Sequence, residues 1–496
     1  MQRSPEQTAT VTDKAMPVSA EASGADGAQP RNLNERLAHL LGTPVSGLRR
    51  LSGGASRETW GFSVEEPTGT QHLVLRRDPP YLVGSGPTAG GMPLEARLFE
   101  AASAGGVPVP KLRCFGDADP DVLESGFLVM DLVEGETIAR KILRDEPYAG
   151  ARVALVRQLG AALARLHAIP IAKVAGLEEL DRLARYRTVL DTLEYASPTF
   201  ELAFRWLQEH RPSGHRRAIV HGDFRLGNVI VNETGLAAVL DWELAHIGDP
   251  MEDLGWLCVR AWRFGGTGVV AGLGALDELF AGYESEGGDP DAESVHWWMV
   301  AGTLIWGVMC ALQASAHTSG ANRSVELAAI GRRVAEQEHD LLELLGAPPA
   351  DHGVLSSALA ATSKLTPPSN GGAGSSVAEF SSEFGVPAVG GLLDAVRGFL
   401  EGDVFGATTG RVQFHTRVAS NVLSIVEREI LLGAAASAAF ASCHQQFGVR
   451  SEAELAEAIR SGSLDERSEA VLTELRRSVT YRLAIANPKH ATAKTS

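Results

Sequence analysis

Between Leu33 and Met130 short apolar runs alternate with turn-forming residues. Gly47–Leu51, Thr59–Val64, Leu73–Arg76 and Phe127–Met130 have the length and patterning of strands, with Gly or Pro in the gaps. One helical stretch, Pro93–Ala104, interrupts them, and Pro108 and Pro110 prevent its continuation. Beyond Asp131 the apolar period becomes helical. Val153–His167 predicts a helix ending before Pro170, while Ala218–Val220, Val229–Val231 and Ala237–Leu240 are short β-like breaks. Leu327, Ile330, Val334, Leu341 and Leu345 predict one amphipathic helix, stopped by Gly346 and Pro348. Thr366–Ser376 (TPPSNGGAGSS) reads as a linker. After it, Leu392, Val396, Phe399 and Leu400 share a helical face, as do Val418, Val422, Ile425 and Val426, and Leu472, Leu475 and Val479.

The predicted layout is therefore a disordered tail over 1–32, a β-rich lobe over 33–130 and a helical lobe over 131–350. A linker over 351–376 and a small helical domain over 377–490 follow. The 496-residue length agrees with several domains. A formal net charge of −16 lacks the basic footprint of a non-specific nucleic-acid binder. Cys114, Cys258, Cys310 and Cys443 are far apart and form no CxxC pair, which predicts buried thiols in a reducing compartment. No apolar run is expected to reach the length of a membrane span, Ile430–Phe440 being among the longest. With no signal-like apolar region before Asn32, the expected location is cytoplasmic and no membrane partner is expected.

The chemistry concentrates in His221–Trp256, HGDFRLGNVIVNETGLAAVLDWELAHIGDPMEDLGW. Phosphoryl transfer asks a protein for metal ions on the phosphates, a carboxylate near the attacking hydroxyl and positive charge facing the transferred group. Asp223 and Asn228 lie five apart on a loop between strand-like runs, and Asp241 ends the next apolar strand. A hairpin brings Asn228 and Asp241 to one end as oxygen ligands suited to Mg²⁺. Asp223 is then placed to deprotonate the acceptor hydroxyl, and Arg225 to face the γ-phosphate. Singly, each of these residues reads as an ordinary turn former; together, and with the HGD opening, they do not.

HGDFRLGN followed by LDWELAHIGDPMEDL resembles the catalytic and metal motifs of the aminoglycoside phosphotransferase and choline kinase-like superfamily. The resemblance covers about Leu33 to Leu345. It implies an α+β, bilobal protein-kinase-like fold, here followed by a small all-α domain, with ATP and Mg²⁺ as cofactors. It also implies Asp223 as catalytic base, Asn228 and Asp241 as metal ligands, His221 as a loop brace, and Asp249 and Asp253 as structural. On the nucleotide side, Gly53, Gly54 and Ser56 in LSGGASRETWGF occupy the phosphate-loop position. Strand alternation puts Arg76 on one face with Val74, where relatives commonly carry Lys; Glu95 is its expected helix partner. FLVMDLVEGET resembles the hinge between lobes, with backbone near Met130 and Leu132 facing adenine. Gly84–Gly91 reads as a loop, Asp131 as a turn or cap residue, and His167 as a helix-end packing residue. Arg260 and Arg263 are expected at the surface on a helix, around a buried Trp262.

The wording WELAHIGDPMEDLGW is similar to the kinase-like domain fused to some acyl-CoA dehydrogenases. That resemblance implies a small-molecule hydroxyl acceptor, with a hydroxyacyl-CoA as the leading candidate. An aminoglycoside or choline-like kinase is the first alternative. A nucleotide-binding pseudokinase scaffold, favoured only by Arg76, is the second. The C-terminal helices need partners, which leaves open a homodimer or another partner contact.

Overall fold

The computed structural model describes residues 29–492 apart from 52–56, 79–90, 120–121, 215, 364–386 and 388. The tail before residue 29 lies outside these residues, as do Gly53, Gly54, Ser56, Gly84 and the linker's second half, 364–376. A helix, α1 (Gln29–Leu41), precedes the first strand, in a stretch where the sequence reading placed none. Five antiparallel strands follow: β1 (Val45–Arg50), β2 (Glu58–Glu66), β3 (Gly69–Arg77), β4 (Leu112–Gly116) and β5 (Phe127–Asp131). Their spatial order is β1-β2-β3-β5-β4, with α2 (Gly91–Ala104) inserted before β4. β4 is too short and too half-buried to announce itself in sequence.

Alternation along β2, β3 and β5 sorts the side chains onto two faces. Trp60, Phe62, Val64, Leu73, Leu75, Phe127 and Val129 bury beneath Leu33 and Leu37 of α1. The opposite face carries Leu128 and Met130 into the main core with Met92, Leu94 and Leu98 of α2. Val74 packs there too, and Arg76, paired with Leu128 across the ladder, shares that face as the alternation requires.

The helical lobe holds α3 (Ala139–Arg144), α4 (Ala149–His167), α5 (Arg182–Thr192) and α6 (Pro198–Glu209). Ser197 caps α6 through the Phe200 amide, and Pro198 starts it without a wasted N–H. Two two-stranded sheets come next, β6 (Ala218–Val220) with β9 (His246–Gly248), and β7 (Val229–Asn232) with β8 (Gly235–Val239). Then come α7 (Met251–Cys258), α8 (Leu276–Glu284), α9 (Ala292–Thr318), α10 (Val325–Gly331) and α11 (Val334–Leu344).

Two expectations are corrected here. Leu327–Leu345 is not one helix, because the chain breaks at Arg332–Arg333 between α10 and α11. And α9 is long and apolar enough to cross a membrane by length and composition. Its His, Trp and Ser residues hide the run from the eye. In the fold it is the central helix of the lobe, with Val300, Leu304, Ile305 and Val308 buried against α6, α7 and α11.

The C-terminal part contains α12 (His352–Ser363), α13 (Val389–Phe399), α14 (Phe405–Ala407), α15 (Gly410–Phe447), α16 (Glu452–Arg460), α17 (Ser468–Ala486) and α18 (Lys489–Thr492). Helix α12 occupies part of the stretch assigned to a linker. The 38-residue α15 ends at Gly448, whose φ of 71° suits glycine as the terminating residue. This part packs directly onto the helical lobe, α17 on α11, α16 on α6 and α15 on α10.

Candidate active site

The loop after β6 is built around one carboxylate. Asp253, fully buried near the start of α7, accepts from the His221 amide at 2.7 Å and the Gly222 amide at 2.9 Å. His167 adds its Nε2 at 3.1 Å and meets the Tyr283 hydroxyl through Nδ1 at 2.9 Å, so its helix-end position serves this network. Burial opposes ionisation of Asp253, but His167, His221 and the loop amide together hold its carboxyl below the usual carboxylate range. Asp249 stays local, its carboxylate accepting from the Met251 amide at the start of α7.

Gly222 turns the loop at φ 77°, and a Cβ there would stand 2.4 Å from the Leu244 carbonyl oxygen. Buried Arg182 grips the turn from behind, donating to the Gly222 carbonyl at 2.8 Å and to Glu252 at 2.7 Å. His221 donates from Nε2 to the Leu240 carbonyl at 2.9 Å, tying the loop to the end of the β7–β8 hairpin.

This frame presents Asp223. Its Oδ1 accepts from Trp256 Nε1 at 2.9 Å and Arg225 Nε at 3.0 Å, and its Oδ2 from Asn228 Nδ2 at 2.6 Å. Arg225 therefore turns inward, its guanidinium lying 4.9 Å over the Trp262 ring. It clamps Asp223 in this structure, whereas the sequence reading had it facing the γ-phosphate. Asn228 spends its amide nitrogen on Asp223, which leaves its Oδ1 as the ligand-type atom. The hairpin closes with the Leu240 amide on the Asn228 carbonyl at 2.8 Å, which sets Asp241 beside Asn228 as predicted.

Asp241 is in the left-handed region at φ 65°, an uncommon setting for a residue other than glycine. Its carboxylate bonds Arg76 Nη2, and Arg76 Nη1 donates to Glu95 Oε1 at 2.5 Å. Burial disfavours the guanidinium charge, but Glu95, Asp241 and Glu243 more than offset it and raise the pKa of Arg76. A second arginine escaped the sequence reading. Arg57, with a side chain 2% exposed, bonds the other Glu95 oxygen, takes Asp78 at 3.0 Å and approaches Glu243 at 3.6 Å. It lies inside the glycine segment already singled out, where the glycines drew the attention. Trp256 and Glu243 stood in the quoted motif without an assigned role.

Two amides of the expected hinge are already engaged. Met130 is buried in β5 between Val74 and Leu112. The Leu132 amide already donates to His72 and the Asp131 amide to Lys111, both at 2.9 Å, so neither is free to face a base. The Asp131 carboxylate pairs with Arg113 and caps nothing. Arg260 is not a surface residue. It bonds Asp340 at 3.2 Å, Glu343 at 2.9 Å and the His490 carbonyl at 2.7 Å. Trp262 is buried as expected, while Arg263 is half-buried, and that burial lowers its pKa. The cysteines are free thiols, and burial pushes Cys258 up to about 12.

A five-stranded antiparallel lobe, a helical lobe and a loop carrying Asp223, Asn228 and Asp241 at their junction define a bilobal, kinase-type phosphotransferase. The chain belongs to the phosphotransferase enzyme family, whose model matches residues 47–294. A second model, a domain of unknown function (DUF6285), matches residues 406–490. Acyl-CoA dehydrogenase family member 10 of Mus musculus is 29% identical over 245 residues, 46% of this chain and 22% of that protein. Acyl-CoA dehydrogenase family member 11 of Pongo abelii is 35% identical over 204 residues, 38% of this chain and 25% of that protein. The match thus spans about a quarter of these relatives' length. A solved structure of a candidate aminoglycoside phosphotransferase from Ralstonia eutropha superposes with a TM-score of 0.50 at 21% identity, over 61% of this chain and 95% of that one. It bears on the fold alone.

Proposed function

We propose that the protein transfers the γ-phosphoryl group of Mg·ATP to a hydroxyl of a small-molecule acceptor. The observation that carries this reading is the fixed placement of Asp223, held by three side-chain donors on a loop whose backbone is anchored by Asp253. A carboxylate held this way is oriented towards an incoming hydroxyl and accepts its proton as the oxygen attacks.

The residues present fit a divalent cation. Asn228 Oδ1 and the Asp241 carboxylate are hard oxygen donors, and they border a network of two arginines, Arg57 and Arg76, and four carboxylates, Asp78, Glu95, Asp241 and Glu243. That surplus of negative charge suits a cation and hard oxygen coordination. When bound, the ion would shield the phosphate oxygens and favour in-line displacement. Arg76, anchored by Glu95, would hold the phosphates as a planar fork where relatives of the family use a point charge.

For the acceptor, the similarity to acyl-CoA dehydrogenase family members supports a hydroxyacyl-CoA over an aminoglycoside or choline. The contact between Arg76 and Asp241 favours a second reading, a nucleotide binder without turnover, because it occupies the proposed metal ligand. One experiment separates the two: ATP consumption with Mg²⁺ against hydroxyacyl-CoAs, choline and aminoglycosides, with Asp223→Ala as control. Turnover confined to one acceptor class and lost in the variant supports transfer. Tight Mg·ATP binding without turnover on any acceptor supports the second reading.

A further inference from the structure

Where the C-terminal helices meet the helical lobe, a cavity of about 1180 Å³ opens between α3, α10, α15 and the turn from α17 to α18. It shares no lining residue with the Asp223–Asp241 site. Six basic side chains line it, Arg140, Arg332, Arg333, Arg417, Arg428 and Lys489, against only two acidic ones, Glu326 and Glu336. The acids are already paired, Glu336 with residues of the same wall. Glu336 takes Arg333 at 3.0 Å and Asn487 at 2.9 Å, and Glu326 faces His415 at 3.6 Å. Arg332 pairs with Glu429 at 2.6 Å, whereas Arg140, Arg417 and Arg428 form no ion pair among the described residues.

The wall on α15 is ordered. Arg417, Asn421, Ser424 and Arg428 recur at helical spacing and form one polar stripe facing the cavity. Arg428 is 5% exposed and donates to the Ile485 carbonyl at 2.6 Å and the Ala486 carbonyl at 3.0 Å, an arginine fixed in place by the last turn of α17. Burial, relieved in part by Glu427 and worsened by Arg397, lowers its pKa. Beside the stripe, Phe414, Val418, Ile330 and Leu359 supply apolar surface. A chain of net charge −16 has assembled a concave, basic and partly apolar site of ligand size.

We propose that this cavity binds a small molecule with a phosphate head on an apolar body. Guanidinium forks match phosphate oxygens bidentately, Asn421 adds a neutral donor, and the apolar wall receives the remainder. The shape argues for a small ligand, because a nucleic acid needs an open basic track.

The test is calorimetric titration of the full chain with octyl phosphate below its micelle concentration, beside octanoate and the neutral octyl glucoside. Octyl phosphate should bind more tightly than either control. Arg417→Ala, on the exposed side of the stripe, should weaken it at least tenfold, and Arg417→Lys should weaken it less. Asn421→Ala should weaken it several-fold and keeps the test readable if Arg417→Ala misfolds. Arg76→Ala should leave it unchanged. Four outcomes overturn the proposal: no binding of octyl phosphate, equal binding of octyl glucoside, preference for octanoate, or loss in Arg76→Ala with retention in Arg417→Ala, which places the anion in the nucleotide cleft.

Discussion

The Asp223 loop and the seam between α11 and the C-terminal helices both bury charge, but they satisfy it differently. At the loop, Asp253 receives two backbone amides and a histidine, and Asp223 receives three side-chain donors. At the seam, five consecutive polar residues of α11, Glu336, Gln337, Glu338, His339 and Asp340, are all buried. Their partners are side chains from distant elements. Glu338 takes Ser197 at 2.7 Å and Arg482 at 3.0 Å, Asp340 takes His490 and Arg260, and His339 takes Arg476. Both polar atoms of the Gln337 amide and Asp340 Oδ2 have no hydrogen-bond partner among the described residues. Backbone donors fix a loop to one geometry, while long side chains tie two modules together without fixing either. The loop is thus built for positional accuracy and the seam for attachment.

Asp253→Ala should break this contrast most severely. It strands the His221 and Gly222 amides and the His167 ring, a loss of about 3–5 kcal/mol for a broken buried network. Urea unfolding should show the destabilisation, and phosphoryl transfer should fall at least about a hundredfold because Asp223 loses its frame. Full activity in a stably folded Asp253→Ala protein would mean that the loop does not depend on this carboxylate.

Gly222→Ala should come next. Positive φ costs about 1–2 kcal/mol for a residue with a Cβ, and the 2.4 Å approach to the Leu244 carbonyl forces a backbone shift as well. A thermal midpoint lowered by several degrees, together with a raised KM or lowered kcat, is expected; an unchanged midpoint would show that the turn relaxes freely.

Much of the loop was legible in the sequence because its chemistry is local. Asp223 and Asn228 lie five residues apart, and one hairpin carries Asp241 to the same place. The alternation in β3 likewise put Arg76 on the inner face, and Glu95 on the neighbouring helix meets it. The seam was opaque for the opposite reason. The run Glu336–Asp340 has the composition of a solvated helix face, and only helices arriving from more than a hundred residues away bury it. Arg57 and Arg260 were missed on the same grounds, since an isolated arginine says nothing of its partner. Helix α1 was missed although Leu33, Leu37, Leu40 and Leu41 recur at helical spacing, because the polar, Gly/Pro-bearing stretch before it drew the whole region into the tail.

A smaller effect is expected from Glu338→Gln, which keeps the shape of the side chain and removes its charge from Ser197 and Arg482. A cost of about 1–3 kcal/mol in unfolding is expected, as for a weakened buried charged hydrogen bond. Transfer activity at low temperature should be unchanged, since no part of the Asp223 frame is touched. If Glu338→Gln lowered kcat as strongly as Asp253→Ala, seam and loop would be one cooperative unit and the distinction between them would fall.

The seam should also announce itself through pH, with two limbs of opposite sign. Burial opposes ionisation of Glu343, but His339, Arg260 and Arg476 hold its pKa at about 2. A carboxyl depressed from about 4.3 contributes stability that is complete above that pH and drains away as pH falls towards its folded value. His490 behaves inversely. Burial works against its charge, but Asp340 and Glu336, with Arg260 opposing, leave its pKa raised. Its contribution is complete below about 6.5 and is lost as pH rises through the raised folded value. Asp253 adds to the acid limb only, because its own pKa is lowered. Unfolding measured from pH 3 to 9 should therefore show Glu343→Gln flattening the acid limb and His490→Asn flattening the limb above neutrality. The Glu343 side chain is 47% exposed, so solvent screening should keep its share below about 1 kcal/mol. If His490→Asn instead flattened the acid limb, His490 would not be the proton donor that ties α18 to Asp340.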